Sequence, residues 1–347
     1  MTHYASKKSV HLSGNGRLAG PDGPRGPSHI FPSSSVAGMF QENCAWAGAL
    51  IYLVNWVSPS YADRIGPPKV LRRAGRLATM PWAVLLAACW PGAAGAQAPS
   101  YTAADFVNAS NYSAGPFAPN SVVSLFGSNL AFGTASANGG VQLPTSLGNV
   151  SVQVSNSAVP LLYVSPSQIN FLIPSGLIDG AISVQVERQG LVGPSVTLTL
   201  VDAAPAPFVD SGNFALAEDF NQNYALVNAA NAAHPGDTVV LYLTGLGHTL
   251  PNPNPGEAPA TAAPLANPAE LSVLLNGTPV VSTLILYAGL TPGFAGLYQI
   301  NLMLPMNTAT NPEIRISMAG QTSPAGVLLA VEAAQPVQLD ARPARKQ

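Results

Sequence analysis

The chain has 347 residues, of which only 9% are charged, with 14 Lys and Arg against 16 Asp and Glu. A formal net charge of −2 provides no basic surface of the kind that nucleic-acid binding requires, so no nucleic-acid partner is expected. The low charge, the 32 glycines and 33 prolines, and the 47% hydrophobic residues are typical of an extracellular β protein with many turns.

The first predicted element is a secretory signal peptide over residues 70–96. A cluster of basic residues precedes an apolar run over 77–90, and small residues then end in an Ala-x-Ala site, so cleavage is expected between Ala96 and Gln97. The apolar run is too short for a membrane-spanning helix, which needs about 20 residues. Residues 1–69 are interpreted as the product of an overlong gene model, and the alternative is a disordered extension of the protein.

The cysteines support export by a simple route. Cys44 and Cys89 are the two cysteines of the chain, and both precede the predicted cleavage site. The exported chain would therefore hold no disulfide and no thiolate metal site, and neither a metal nor a cofactor is predicted. Cys89 also ends a Leu-Ala-Ala-Cys sequence that fits a bacterial lipobox, so lipidation at Cys89 is the alternative to plain cleavage. The protein is thus expected to be secreted, or anchored to a membrane in the cell envelope if Cys89 is lipidated.

An internal repeat dominates the exported chain. The sequence QINFLIP at 168–174 recurs as QINLMLP at 299–305, and VNA at 107–109 recurs at 227–229. Each QIN copy leads to short segments that alternate apolar and polar residues, with turn residues about every 8–12 positions, which is typical of antiparallel sandwiches. We therefore predict an all-β fold of two tandem Ig-like antiparallel β-sandwich domains after the signal peptide.

The repeat also sets the predicted domain boundaries. The first sandwich is placed at residues 97–208 and the second at 209–335, followed by a flexible tail at 336–347. The proline-rich strip at 203–207 is predicted to be a semi-rigid linker between the two sandwiches. Asn276-Gly277 lies between two apolar runs and predicts a two-residue hairpin turn.

A resemblance to a known family is carried by four segments: VNASNYSAGPFAPNSVVSLFGSNLA (107–131), YVSPSQINFLIP (163–174), PGDTVVLYLTGLG (235–247) and AGLTPGFAGLYQINLMLP (288–305). They resemble the uncharacterised C-terminal domain family of secreted acidobacterial proteins, whose members are similar to paired Ig-like sandwiches of the IPT/TIG type. The resemblance covers about residues 101–333. It implies a terminal module of secreted proteins that has no established activity.

The QIN motif supplies the first candidate site. In an extended strand Gln168 and Asn170 share one face, while the apolar residues between and after them point to the other face. The repeat places Gln299 and Asn301 in the same way. Since unpaired buried amides cost about 1–3 kcal/mol each, we favour structural hydrogen bonds to neighbouring loops or to the other domain. The alternative is a ligand site in which these amides bind the hydroxyls of a sugar.

The second candidate site is an insertion in the second copy of the repeat. It lies between Tyr287 and Tyr298, is rich in glycine and contains Phe294. Rigid aromatic rings on such a loop could stack on sugar rings or on a partner protein. The other interpretation is that the loop folds back and buries its aromatic side chains under the sandwich.

Two further kinds of site are considered and not favoured. Residues 218–223, around Asp219, place oxygen ligands at alternate positions, but they lack the glycine and the bidentate Glu of an EF-hand, so a hairpin turn is preferred over a calcium site. The sequence has no G-x-S-x-G motif, and no spacing suggests that Ser128, Asp237 and His248 converge into a triad. We therefore predict no catalytic residue.

Together these observations predict a secreted, non-catalytic β-sandwich protein for extracellular adhesion, matrix assembly or surface recognition. Its partner would be an extracellular polysaccharide or another surface protein. Two alternatives stay open: a carbohydrate-binding module that uses the Tyr287 to Tyr298 loop, and a secreted hydrolase with an unrecognised site.

Overall fold

A computed structural model describes residues 97–137 and 140–332, and this part of the chain is all-β. Its strands pair antiparallel throughout both halves of the fold. The predicted fold class is therefore confirmed. Among these residues no helix has the length and apolar character needed to cross a membrane. The predicted signal peptide with Ala96, the lipidation site Cys89 and the tail at 336–347 lie outside the described residues.

The first half of the fold, residues 100–200, is built from two sheets around one core. The two sheets, A and B, have five strands each. Phe106, Leu125 and Phe171 lie in the core, where the rings of Phe106 and Phe171 pack edge to face at 6.2 Å between centroids. The strands are β1 (Phe106–Asn108), β2 (Val122–Phe126), β3 (Ala135–Ser136), β4 (Val150–Val154), β5 (Ser157–Ala158), β6 (Leu161–Val164), β7 (Gln168–Leu172), β8 (Gly180–Arg188), β9 (Leu191–Val192) and β10 (Val196–Leu200). Sheet A has the order β1-β2-β7-β6-β3. Sheet B has the order β10-β8-β4-β5, with the short β9 paired to β8.

The second half, residues 206–331, is also built from two sheets, around a second core that contains Leu241, Val273 and Ile300. Its strands are β11 (Ala206–Pro207), β12 (Ala217–Asp219), β13 (Ala225–Val227), β14 (Thr238–Thr244), β15 (Ala263–Pro264), β16 (Ser272–Leu275), β17 (Thr278–Pro279), β18 (Ile285–Leu290), β19 (Tyr298–Met303), β20 (Ile314–Met318) and β21 (Gln321–Thr322). Sheet C has the order β13-β12-β14-β19-β18-β15, with β11 paired to β14. Sheet D has the order β17-β16-β20-β21.

The QIN motif occupies equivalent places in the two halves. Asn170 in β7 lies opposite Tyr163 of β6, and Asn301 in β19 lies opposite Tyr287 of β18, each pair next to a β-bulge. The two copies of the VNA motif lie in different places. The first copy leads out of β1, which is a neighbour of β2. The second copy leads out of β13, and β12 lies between β13 and β14. The sequence similarity of the VNA copies therefore does not extend to the order of the strands.

The sheets differ in how many of their faces are covered. In β8 and β20 buried and more exposed residues alternate, as expected for strands with one face in solvent. In contrast, every residue of β7 is buried, and so is every residue of β14 after the first. The second covered face of sheet A lies against the other half, where Ala295 packs with Val122 and Leu172. This contact brings the two halves together around the site described below.

The proline-rich strip at 203–207 is part of a sheet. Ala206 and Pro207 form β11, which pairs with β14, and the Ala204 N–H donates to the Gly245 carbonyl at 2.8 Å. A proline is compatible with this position because an edge strand leaves one side of its backbone unpaired. The strip thus contributes a strand to sheet C, whereas the sequence predicted a linker. The domain boundaries at 97–208 and 209–335 stay predictions.

Candidate functional site

The four amides of the QIN motifs lie in the middle strands of sheets A and C. Gln168, Asn170 and Gln299 are buried and Asn301 is half-buried. In each half the glutamine Nε2 donates to the asparagine Oδ1 two residues later, at 3.0 Å in the first half and 2.8 Å in the second. The motif thus builds the same side-chain hydrogen bond twice.

Asn170 has a further hydrogen-bond partner in β2. The Ser124 hydroxyl of β2 donates to Asn170 Oδ1 at 2.8 Å, so this oxygen accepts from two side chains. Within the described part of the chain, Asn170 Nδ2 is a buried donor without a hydrogen-bond partner. An unpaired buried donor is costly in free energy, and it therefore marks a position where a ligand can add a bond.

The insertion between Tyr287 and Tyr298 is anchored by both of its tyrosines. The Tyr287 hydroxyl donates to the Leu290 carbonyl at 2.8 Å, and the Tyr298 hydroxyl donates to the Gly247 carbonyl. Burial raises the pKa of Tyr287 to about 12 and also raises the pKa of Tyr298, which is fully buried. Both hydroxyls are therefore neutral donors that hold the loop in place.

Phe294 is the aromatic residue within the loop. It is half-buried and packs with Leu297, Phe208 and Tyr242 on the outer side of sheet C. Backbone bonds from Thr291 N to the Leu297 carbonyl (2.8 Å) and from Gly293 N to the Pro259 carbonyl (2.8 Å) fix the loop around it.

An apolar cavity of about 560 Å³ lies between the two halves. Val122 and Asn170 of sheet A contribute to one wall, and Phe294 and Leu297 of the second half contribute to the opposite wall. The polar side chains among its described lining residues are Ser136, Tyr163 and Asn170, and none of these lining residues is charged. The cavity can therefore enclose an uncharged molecule but offers it few hydrogen bonds.

Backbone and side-chain bonds between the halves keep the cavity walls at a fixed distance. The Thr244 hydroxyl lies at the centre of these contacts, because it accepts from Val122 N at 3.2 Å and donates to the Gly296 carbonyl at 3.2 Å. At the rim, Leu143 N donates to the Gly256 carbonyl at 2.9 Å, and Ala258 N donates to the Val141 carbonyl at 2.8 Å.

The glycine-rich sequence of the loop has a steric cause at Gly296. Its φ is +75°, and a Cβ at this position would lie 2.4 Å from Leu172 Cδ1 and 3.0 Å from Val122 Cγ2. Glycine is therefore required where the loop of the second half touches sheet A.

The residues considered for calcium form a capped turn. Asp219 Oδ1 accepts from Asn221 N at 2.8 Å, and Asp219 Oδ2 accepts from Gln222 Nε2 at 2.8 Å. Burial raises the pKa of Asp219, and the nearby charge of Asp237 raises it further. Among the residues with described positions, no group of three or more His, Cys, Asp or Glu side chains is arranged to hold a metal ion.

The residues considered for a triad are found in separate contacts. Asp237 Oδ2 accepts from the backbone N–H of His234 at 2.7 Å and lies 3.3 Å from its Nδ1. Ser128 forms a backbone bridge with Ser100 at the end of sheet A. His248 accepts through its carbonyl from Ala266 N at 2.9 Å.

Of the cavity lining, the sequence predicted Asn170 and the loop that carries Phe294, and it did not predict the other residues. Tyr163 could have been found from the repeat, since it follows the β-bulge of the first half as Tyr287 follows the β-bulge of the second half. Phe208 and residues 258–260 carry no such signal, because they line the cavity only through the packing of the two halves.

Comparison with known proteins supports the class of fold. Residues 107–200 match the IPT/TIG domain family, so the first half contains an IPT/TIG Ig-like domain. No curated protein matches this chain in sequence.

Solved structures of bacterial surface glycan-binding proteins are similar in part. SGBP-B from a complex xyloglucan utilization locus of Bacteroides uniformis is 12% identical, with 67% of this chain and 49% of that chain covered and a TM-score of 0.21. SGBP-B of the Bacteroides ovatus mixed-linkage glucan utilization locus, in complex with a heptasaccharide, is 12% identical, with 62% and 42% covered and a TM-score of 0.26. Surface glycan-binding protein PbSGBP-B from Prevotella bryantii is 10% identical, with 60% and 36% covered and a TM-score of 0.22. The matched region thus spans about half or less of each of these structures.

Proposed function

We propose that this protein is an extracellular, non-catalytic binding protein whose ligand occupies the cavity between its two halves. The observation that carries the proposal is the cavity itself, whose volume of about 560 Å³ falls in the usual range of small-molecule sites, about 300–1,000 Å³. Such sites are lined mainly by apolar side chains with a few placed polar groups, as this cavity is. The low charge and the predicted signal peptide support a place outside the cell.

The chemistry of the lining supports binding over catalysis. General acid–base and nucleophilic catalysis need titratable groups at the reacting atoms, and the described lining residues include none beyond the Tyr163 phenol. The nearest approach to a catalytic pair, His234 with Asp237, lies at a turn that is not part of this lining. The cavity is therefore suited to hold a molecule and not to transform it.

The lining also favours an apolar ligand over a sugar. Each sugar ring carries several hydroxyl groups, which lose free energy when they are buried without partners. The oxygens of Asn170 and Asn301 already accept from neighbouring side chains, and the hydroxyls of Tyr287 and Tyr298 already donate to the Leu290 and Gly247 carbonyls. The cavity therefore complements a ligand whose buried part is a hydrocarbon chain or an aromatic ring.

Binding of the apolar dye Nile red to the purified protein, residues 97–347, tests this proposal. We expect saturable fluorescence enhancement in the native protein. Ala260 is exposed and lines the cavity, so Ala260→Trp should fill the mouth of the cavity and weaken dye binding by roughly tenfold or more. Ala309 is also exposed but is not part of the lining, and Ala309→Trp should bind the dye as the native protein does.

Equal dye binding in the two tryptophan variants would place the dye elsewhere and contradict the proposal. Absence of dye binding, together with binding of a soluble polysaccharide that is lost in Phe294→Ala, would instead support the carbohydrate-binding alternative.

A further inference from the structure

A buried hydrogen-bond donor, Asn170 Nδ2, belongs to a residue that lines this otherwise largely apolar cavity. Asn170 lines the cavity and is 0% exposed, and its Nδ2 lacks a hydrogen-bond partner in the part of the chain that the structure describes. Its Oδ1 is directed to Ser124 and Gln168. Because Nδ2 branches from the amide carbon in a different direction from Oδ1, it does not share these two partners.

The second half contains the same motif at a place outside this cavity. Asn301 accepts from Gln299 at 2.8 Å and faces Tyr287 across the strand pair, as Asn170 faces Tyr163. Asn301 is half-buried, however, and it is not among the residues that line the cavity. The repeat thus provides an internal reference in which the asparagine accepts from the equivalent glutamine but does not line the cavity.

We propose that the cavity takes an uncharged, largely apolar molecule that carries a carbonyl group, and that Asn170 Nδ2 donates a hydrogen bond to that carbonyl oxygen. This inference rests on the proposed function and adds the chemical class of the ligand. A carbonyl oxygen is an acceptor and cannot compete for Asn170 Oδ1, so it complements the one unpaired atom of this side chain.

The same lining excludes a charged head group as the buried part of the ligand. An ionised carboxylate or phosphate loses much more free energy on burial than a ketone or ester does unless a counter-charge is present. The described lining residues provide no such counter-charge. The acceptor is therefore expected to be neutral, as in a ketone, an ester or an amide.

Displacement of Nile red by benzophenone and by diphenylmethane tests the inference. The two probes have nearly the same shape, and only benzophenone carries a carbonyl. Benzophenone is also the better hydrated of the two, so a cavity without an available hydrogen-bond donor should prefer diphenylmethane. We expect the native protein to bind benzophenone about threefold to tenfold more tightly than diphenylmethane.

Two variants test whether Asn170 is the origin of the preference for benzophenone. Asn170→Leu should bind both probes and lose the preference for benzophenone, whereas Asn301→Leu, the matched change in the second half, should keep it. The comparison of the two probes on the native protein stands even if Asn170→Leu does not fold.

Nile red binding without a preference for benzophenone would overturn this inference and leave the proposed function intact. A preference that persists in folded Asn170→Leu would do the same. A native protein that binds none of the three molecules would overturn both proposals.

Discussion

At the scale of single residues, Glu218 is a buried carboxyl group whose protonation is linked to folding. Its Oε2 accepts from the Tyr242 hydroxyl at 2.9 Å, and both residues are buried on the outer side of sheet C. Burial raises the pKa of Glu218, and the bond from Tyr242 opposes this rise in part. Because the pKa in the folded protein lies above the value in the unfolded chain, the native state holds the proton more tightly. Its contribution to stability is therefore complete below the unfolded pKa and is lost as the pH rises through the folded pKa.

Glu218→Gln should consequently stabilise the protein at neutral pH. The glutamine carbonyl can still accept from Tyr242, and no charge has to be buried. We expect the melting temperature at pH 7 to rise by a few degrees and its decrease between about pH 5 and pH 7 to become less steep. Thermal unfolding followed by circular dichroism over this range measures both effects.

The matched control for this change is Glu187→Gln, at an exposed position on β8. It should leave the melting temperature and its pH dependence close to those of the native protein. A lower melting temperature for Glu218→Gln at pH 7 would show that the ionised carboxylate stabilises the fold, contrary to the argument from burial.

The loop of the second half offers a second test at single residues, because two of its glycines differ only in their surroundings. Gly293 and Gly296 have φ values of +83° and +75°. A Cβ at Gly293 would meet nothing within 4 Å, whereas a Cβ at Gly296 would collide with Leu172 and Val122. Gly293→Ala therefore isolates the cost of the backbone conformation, and Gly296→Ala adds the cost of the contact.

We expect Gly293→Ala to lower the free energy of unfolding by about 1 kcal/mol and Gly296→Ala to lower it by roughly 2–4 kcal/mol. Chemical denaturation of the two variants gives both values. Equal losses would mean that the loop moves away from sheet A without cost, and the fixed wall of the cavity would then be an incorrect description.

At the scale of elements, the sequence predicted most of what depends on local pattern. The alternation in β8 and β20 predicted strands with one buried face, and the structure has them. Asn276 and Gly277 predicted a hairpin turn, which is confirmed: both have positive φ, and Leu275 pairs with Thr278 across the turn. These features could be predicted because the residues that decide them are neighbours in the chain.

Elements whose environment depends on distant residues could not be predicted in the same way. β7 and β14 are buried on both faces, and an apolar or mixed sequence does not show what covers the second face. The strip at 203–207 has the composition of a linker, yet the pairing of Ala206 with Thr244 places it in sheet C. The two walls of the cavity likewise come from segments far apart in the chain, so the amides and Phe294 were predicted as separate sites.

At the scale of the whole molecule, the bonds between the halves determine whether the cavity is a permanent feature. Thr244 links them directly, since its hydroxyl is bonded both to Val122 N of the first half and to the Gly296 carbonyl of the loop. Ser175 adds a bond from its hydroxyl to the Pro253 carbonyl at 2.7 Å. With β11 held against β14, these contacts predict that the two halves unfold together.

Thr244→Val tests this coupling with a side chain of nearly the same shape. The change removes the acceptor for Val122 N and the donor to the Gly296 carbonyl, so two buried backbone groups lose their partner, and we expect a loss of roughly 2–3 kcal/mol in the free energy of unfolding. In differential scanning calorimetry the native protein should show one transition, and Thr244→Val should show a broadened or split one. Thr308→Val removes a hydroxyl that donates to the Pro305 carbonyl at 2.6 Å within the second half alone, so its transition should shift and stay single. If the native protein already unfolds in two separate steps, the halves are independent bodies and the cavity between them is not maintained by the fold.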